Sequence, residues 1–171
     1  SGPLLAVMPN SGGFADSGYV GTVAQVNYRI EFTTTGTYRV WVRGLAASSL
    51  DNSLHVGLDG VGLATSDRVS NESVFGSLVW TSSTMDGGFA TVTVSTPGVH
   101  VLNLWMREDG WAIDRIHLNL ASTAPSGTGP ANSARGTATP PTSTTSTTST
   151  TSTSTTSTTT PPSTSTPSTT S

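Results

Sequence analysis

The chain has 171 residues, a net charge of −3, no cysteine and, its seven cationic residues all being arginine, no lysine. This balance, with no basic cluster, argues against nucleic acid or an anionic membrane surface as partner. The lack of thiols excludes disulfides and thiolate metal sites, and no apolar run approaches the roughly 20 residues needed to span a bilayer.

Composition divides the chain in two. Every acidic residue and six of the seven arginines precede Pro125, whereas residues 142–171 are Ser, Thr or Pro throughout. The globular part is therefore expected over residues 1–124, long enough for one domain with a real core. The chain starts at Ser1 with neither an initiator Met nor a signal-peptide pattern, as expected of a processed or excised chain.

In chain order, Tyr28, Ile30 and Phe32 alternate with Arg29 and Glu31, the period of a half-buried strand. After a turn at residues 33–36, Tyr38, Val40 and Val42 fall on one face of a second strand. Leu54, Val56 and Leu58 form a third, closed by Asp59-Gly60, a strong hairpin signal. Residues 78–80 and 89–94 follow, the latter rich in Thr and Val. Pro97-Gly98 turns the chain into a strand over 99–106, and Glu108-Asp109-Gly110 turns it into 111–120, a predicted terminal hairpin. Seven or eight short strands without helical periodicity predict an all-β antiparallel sandwich.

Residues 125–141 have linker composition. In the stalk, Ser recurs at 143, 146, 149 and 152, a three-residue period compatible with polyproline II. The Ser/Thr/Pro composition is that of an extended, non-globular, O-glycosylated stalk. Candidate acceptors are Thr142, Ser143, Thr144, Thr145, Ser146, Thr147, Thr148, Ser149, Thr150, Thr151, Ser152 and Thr153.

Four segments carry a family resemblance: Gly36-Thr37-Tyr38-Arg39-Val40-Trp41-Val42-Arg43, residues 54–60 (LHVGLDG), residues 98–104 (GVHVLNL) and Ile113-Asp114-Arg115-Ile116. In order and spacing they resemble the galactose-binding-like jelly-roll sandwich of carbohydrate-binding modules of families 6 and 35, over about residues 19–120. The resemblance implies glycan binding in a loop cleft, with aromatic platforms and an Asn or Asp near the last strand. Where the family often has that Asn, this chain has Ala112. Where the family has paired Glu for a structural calcium, it reads Pro3-Leu4-Leu5-Ala6-Val7-Met8.

Trp111, beside the Asp109-Gly110 turn, and Tyr19, between Gly18 and Gly21, are candidate sugar platforms, because a pyranose C–H face stacks on an aromatic ring. Trp111 is equally open to packing under a loop or in a subunit contact. Trp80 is a further candidate within a strand, where packing competes with binding. Asp114 is a candidate sugar or calcium ligand, with a salt bridge to Arg43 or Arg107 as the alternative. Asp109 is a second candidate for calcium, which is possible but not required. Asn71-Glu72-Ser73 matches an N-glycosylation sequon. His55, His100 and His117 show no metal-ligand spacing, and no recognisable nucleophile setting occurs, so the chain is expected not to be an enzyme.

Two functions follow as expectations. The first is a structural subunit of an extracellular or cell-surface fibre, assembled from copies of itself. There Leu4, Leu5 and Val7 would add to a neighbour's sheet edge. The second is a glycan-binding module or adhesin fragment of a larger secreted protein, whose partner is extracellular polysaccharide.

Overall fold

In the computed structural model, residues 3–136 are described. They form nine strands and no helix: β1 Gln25–Phe32, β2 Gly36–Leu45, β3 Ser53–Leu58, β4 Val61–Gly62, β5 Val69–Ser70, β6 Leu78–Thr81, β7 Thr91–Val94, β8 Gly98–Met106 and β9 Ala112–Asn119. All pairings are antiparallel. A five-stranded sheet runs β1-β8-β3-β4 with β5 also on β3, and a four-stranded sheet runs β6-β2-β7 with β9 also on β2.

The two sheets close over one core. Val40, Val42, Val92, Val94 and Ile113 come from the four-stranded sheet, and Phe32, Leu54, Val56, Leu58, Leu102 and Leu104 from the five-stranded one. Each such side chain contributes about 1.5–3 kcal/mol when fully buried. The predicted antiparallel jelly-roll sandwich is thus the fold. The Asp59-Gly60 signal also holds: φ of 54° and 81° joins Leu58 to Val61 in the two-residue hairpin of β3 and β4.

The predicted terminal hairpin does not form. β8 pairs with β1 and β3, whereas β9 pairs with β2 in the other sheet. The Asp-Gly signal marks a reversal without naming the partner, and here the reversal crosses between layers. Asp109 holds that corner by accepting from the Ser11 and Gly12 amides (2.8 and 3.1 Å).

The N-terminal segment is not free to complete another subunit's sheet. Leu5 and Ile113 exchange both main-chain hydrogen bonds (2.8 and 2.7 Å), and the Val7 carbonyl accepts from Gly110 (3.2 Å). The apolar alternation that invited strand addition is satisfied within the chain. Leu4 and Leu5 stay partly open to solvent and Val7 is half-buried.

The first compact unit is Ser1–Asn132, so residues 125–132 of the expected linker belong to it. The stalk, with the candidate acceptors at 142–153, lies outside the described residues.

Candidate functional site

Strand β2 sorts its residues by the two-residue pleat. Tyr38, Val40 and Val42 face the core, which puts Arg39, Trp41 and Arg43 on the outer face. Cross-strand partners share a face. Asn119 therefore lies beside Arg39, His117 beside Trp41, and both Arg115 and Trp80 beside Arg43. The outer face of the four-stranded sheet thus collects three arginines, two tryptophans and a histidine.

Within it the Arg39 guanidinium lies 3.4 Å from the centre of the Phe89 ring and 4.7 Å from that of Trp41. Cation–π attraction of this kind contributes about 0.5–1 kcal/mol at exposed sites. The guanidinium also donates to the Ser82 hydroxyl (3.1 Å) and the Ser122 carbonyl (3.4 Å), and among the described residues no carboxylate pairs with it. Trp80 stands edge-on to His117 at 6.4 Å. Burial lowers the His117 pKa below its ordinary value.

Arg39, Trp41, Trp80, Ser82 and Phe89 border an open cleft of about 390 Å³, which the loop of residues 71–74 also lines. Asn71 shapes that loop, donating to the Val74 carbonyl and accepting from the Val74 amide. Ser70 also lines the cleft at its floor, fully buried, its hydroxyl without a protein partner. Aromatic surface beside hydroxyls and a guanidinium is what a sugar needs, with apolar C–H faces and hydroxyl edges on one molecule. A second opening of about 370 Å³ lies between residues 5–8, Trp105 and Trp111, with mostly aliphatic walls.

Residues 4–132 match the family described as "Glycosyl hydrolase family 115 C-terminal domain". The chain belongs to this family. It is also 36% identical over 118 residues to "Uncharacterized protein P23" of Formosa agariphila, covering 64% of this chain. The chain spans only 29% of that relative's length. A solved structure, "Structure of CBM35 from Paenibacillus barcinonensis", aligns with a TM-score of 0.44 at 18% identity, covering 69% of this chain and 91% of that one. Residues 4–132 are thus a domain of the glycosyl hydrolase family 115 C-terminal type.

Of the residues singled out from the sequence of this family 115 C-terminal domain, Trp80 and Asn71 line the cleft, and Trp111, Tyr19, Asp114 and Asp109 do not. Trp111 is a core residue, 4% exposed, with its ring against Gly44, so no open face remains for stacking. A Cβ on Gly44 would sit 2.5 Å from Trp111 Nε1, a close approach that only glycine permits.

Tyr19 lies flat on His55 (3.7 Å between centroids, 7° between planes), which takes one of its ring faces. His55 in turn bonds the Ala15 carbonyl (2.8 Å) and Asp67. Tyr19 thereby latches its loop onto β3. Burial, and then the Asp67 charge, raise its hydroxyl pKa.

Asp114 is the extra residue of a β-bulge, where the register shifts between Arg43 and Gly44. The bulge turns its carboxylate onto Arg43, the salt bridge that was the alternative to a ligand role. Asp109 is held by backbone amides, first that of Ser11, which lower its pKa. Among the described residues no three His, Asp or Glu side chains stand close enough to hold a metal. The Asp114 carboxylate is engaged by Arg43 and that of Asp109 by the Ser11 and Gly12 amides. Within the sequon Glu72 and Ser73 are exposed, but Asn71 itself is 4% exposed with its side-chain amide engaged.

Arg39 and Phe89 escaped the sequence reading, whereas Trp41, like Trp80, is a strand residue for which the sequence favours packing over binding. The signal for Arg39 was the odd-numbered half of β2, Arg39-Trp41-Arg43, while only the apolar even half was read. Phe89 precedes β7 rather than opening it, in a single bridge to Ser83.

Proposed function

We propose that this domain is a non-catalytic glycan-binding module of a secreted polysaccharide-acting protein, and that the cleft on the outer face of the four-stranded sheet is its binding site. The observation that carries this is the stack of Phe89, Arg39 and Trp41 beside Trp80. It sets the exposed Phe89 ring and the Trp80 indole next to the Arg39 guanidinium and the exposed hydroxyls of Ser73 and Ser83. Glycoside hydrolysis by the usual route needs two carboxylates flanking the bond, and Glu72 is the one acid on the cleft. That supports binding without catalysis.

In the fibre reading residues 3–8 would add to a neighbour's sheet edge, and the pairing of Leu5 with Ile113 takes up that segment within the chain. The stalk is read as an O-glycosylated spacer that sets the module away from a surface or partner domain. Intact-mass measurement of protein from its native host tests this: hexose increments on residues 142–153 are expected, and the bare mass would refute it.

Affinity electrophoresis through gels containing soluble neutral and acidic polysaccharides tests the site. At least one gel is expected to retard the protein. Phe89→Ala and Trp80→Ala should each abolish most of that retardation while circular dichroism stays unchanged. Retardation that survives both substitutions would place binding elsewhere.

A further inference from the structure

The segment that leaves β9 returns across the same outer face. Four of its main-chain carbonyls are each taken by a side chain of the sheet. Ser122 O accepts from Arg39 (3.4 Å), Thr123 O from Asn119 (3.0 Å), Gly127 O from Trp80 Nε1 (3.1 Å) and Pro130 O from Arg115 (3.2 Å). A turn closed by Gly129 N–H to Ser126 O (2.8 Å) lays the segment on the Trp80 ring. Gly127 and Gly129 have φ of 53° and 80°, in the left-handed region. A Cβ on Gly129 would stand 2.7 Å from Trp80 Cζ2. Glycine is therefore needed at 129 both for the turn and for the approach to the ring.

We propose that residues 122–130 are a built-in strap that competes with glycan for the Arg39 and Trp80 end of the cleft. This rests on the glycan-binding reading of that cleft. Arg39 and Trp80 belong to both: they border the cleft, and they hold the strap. The strap offers carbonyl oxygens to a row of donors, which is also what sugar hydroxyls would offer. Recognition of a main chain by side-chain donors on an aromatic platform depends little on sequence, so one set of donors serves either occupant. While the strap is seated, the binding-competent fraction of the protein is reduced, and apparent affinity falls in proportion. Lifting it would lengthen the groove toward His117 and Arg115.

The test uses the full chain carrying Gly129→Val, and a second chain carrying both Gly127→Val and Gly129→Val. Trp41, Trp105 and Trp111 are buried, so among the four tryptophans Trp80 dominates the response to acrylamide quenching. Unseating the strap should raise quenching and red-shift emission. On whichever polysaccharide retards the native chain, both variants should bind about three- to tenfold tighter. Greater quenching with unchanged affinity would overturn competition, and so would weaker binding, which would make the strap part of the site. Unchanged quenching in the double variant would overturn the strap itself. Increased quenching with no retention of either form on any gel would overturn the glycan reading, and the competition with it.

Discussion

His100 bonds two acceptors at once, Asp59 Oδ2 through Nδ1 (2.7 Å) and the Thr96 carbonyl through Nε2 (2.9 Å). Two acceptors require two N–H groups, hence the imidazolium. Its pKa is accordingly raised above the ordinary value, first by the Asp59 bond and then by the Thr96 carbonyl. Asp59 is lowered, first by the bond from His100 and then by the Val101 amide. The signs oppose each other. The His100 contribution is complete below its unfolded value near about 6.5 and is lost as pH rises through the folded value. The Asp59 contribution is complete above about 3.9 and is lost as pH falls through its folded value. The staple between the β3–β4 and β7–β8 turns is therefore strongest in the window between those limits. Asp59→Asn keeps a left-handed Asn-Gly turn and removes the anion. An NMR titration should then show His100 moving back toward about 6.5, and an unmoved midpoint would disprove the pairing. A second test lies at the bulge. Arg43 and Asp114 are both largely buried, so Asp114→Ala leaves an uncompensated guanidinium, expected to cost about 3 kcal/mol in urea unfolding. Legibility at this scale was uneven. Asp114 could be weighed as a salt bridge from sequence because acid and arginine were both in view. For Trp111 the sequence leaves stacking and packing both open, because its exposure depends on Gly44, 67 positions back along the chain and across the sheet.

At the scale of elements, β3 is the strand that tolerates least. All six residues are buried, with β8 on one edge and β4 and β5 on the other. Gly57 within it has Val61 O and the Trp105 ring where a Cβ would go, the ring 2.6 Å away. Neither neighbour can yield, one being main chain and the other a fully buried indole. Gly57→Ala is expected to destabilise by about 2–3 kcal/mol, read as a lower denaturation midpoint at unchanged m. A loss under 0.5 kcal/mol, on the order of an ordinary surface change, would contradict the packing. The β3–β4 hairpin was legible because a two-residue Asp-Gly loop leaves the strands no other geometry. The pairing of β8 and β9 was not. Local turn chemistry is identical whether the chain stays in one sheet or crosses to the other, and only the sum of core contacts decides.

For the whole molecule, composition changes at Pro125, yet both the compact unit and the family match run to residue 132. Composition misleads here because Ser, Gly and Pro are loop formers whether or not the loop is docked. What docks this one is the supply of free donors on the sheet, Trp80 Nε1 and Arg115 Nη1, which residues 127 and 130 satisfy. Each such bond is worth about 0.5–1.5 kcal/mol at most, and less at an exposed face. A chain ending at residue 124 should therefore fold with the same circular dichroism as one ending at 132. It should melt about 3–6 °C lower, since 1 kcal/mol corresponds to a few degrees in a domain of this size. The comparison separates docking from core formation. Equal melting temperatures would make residues 125–132 a spacer, whereas failure of the shorter chain to fold would make them part of the core. The intermediate result is the one expected of a segment held by two carbonyls and one indole ring: stable enough to be seated, weak enough to be displaced.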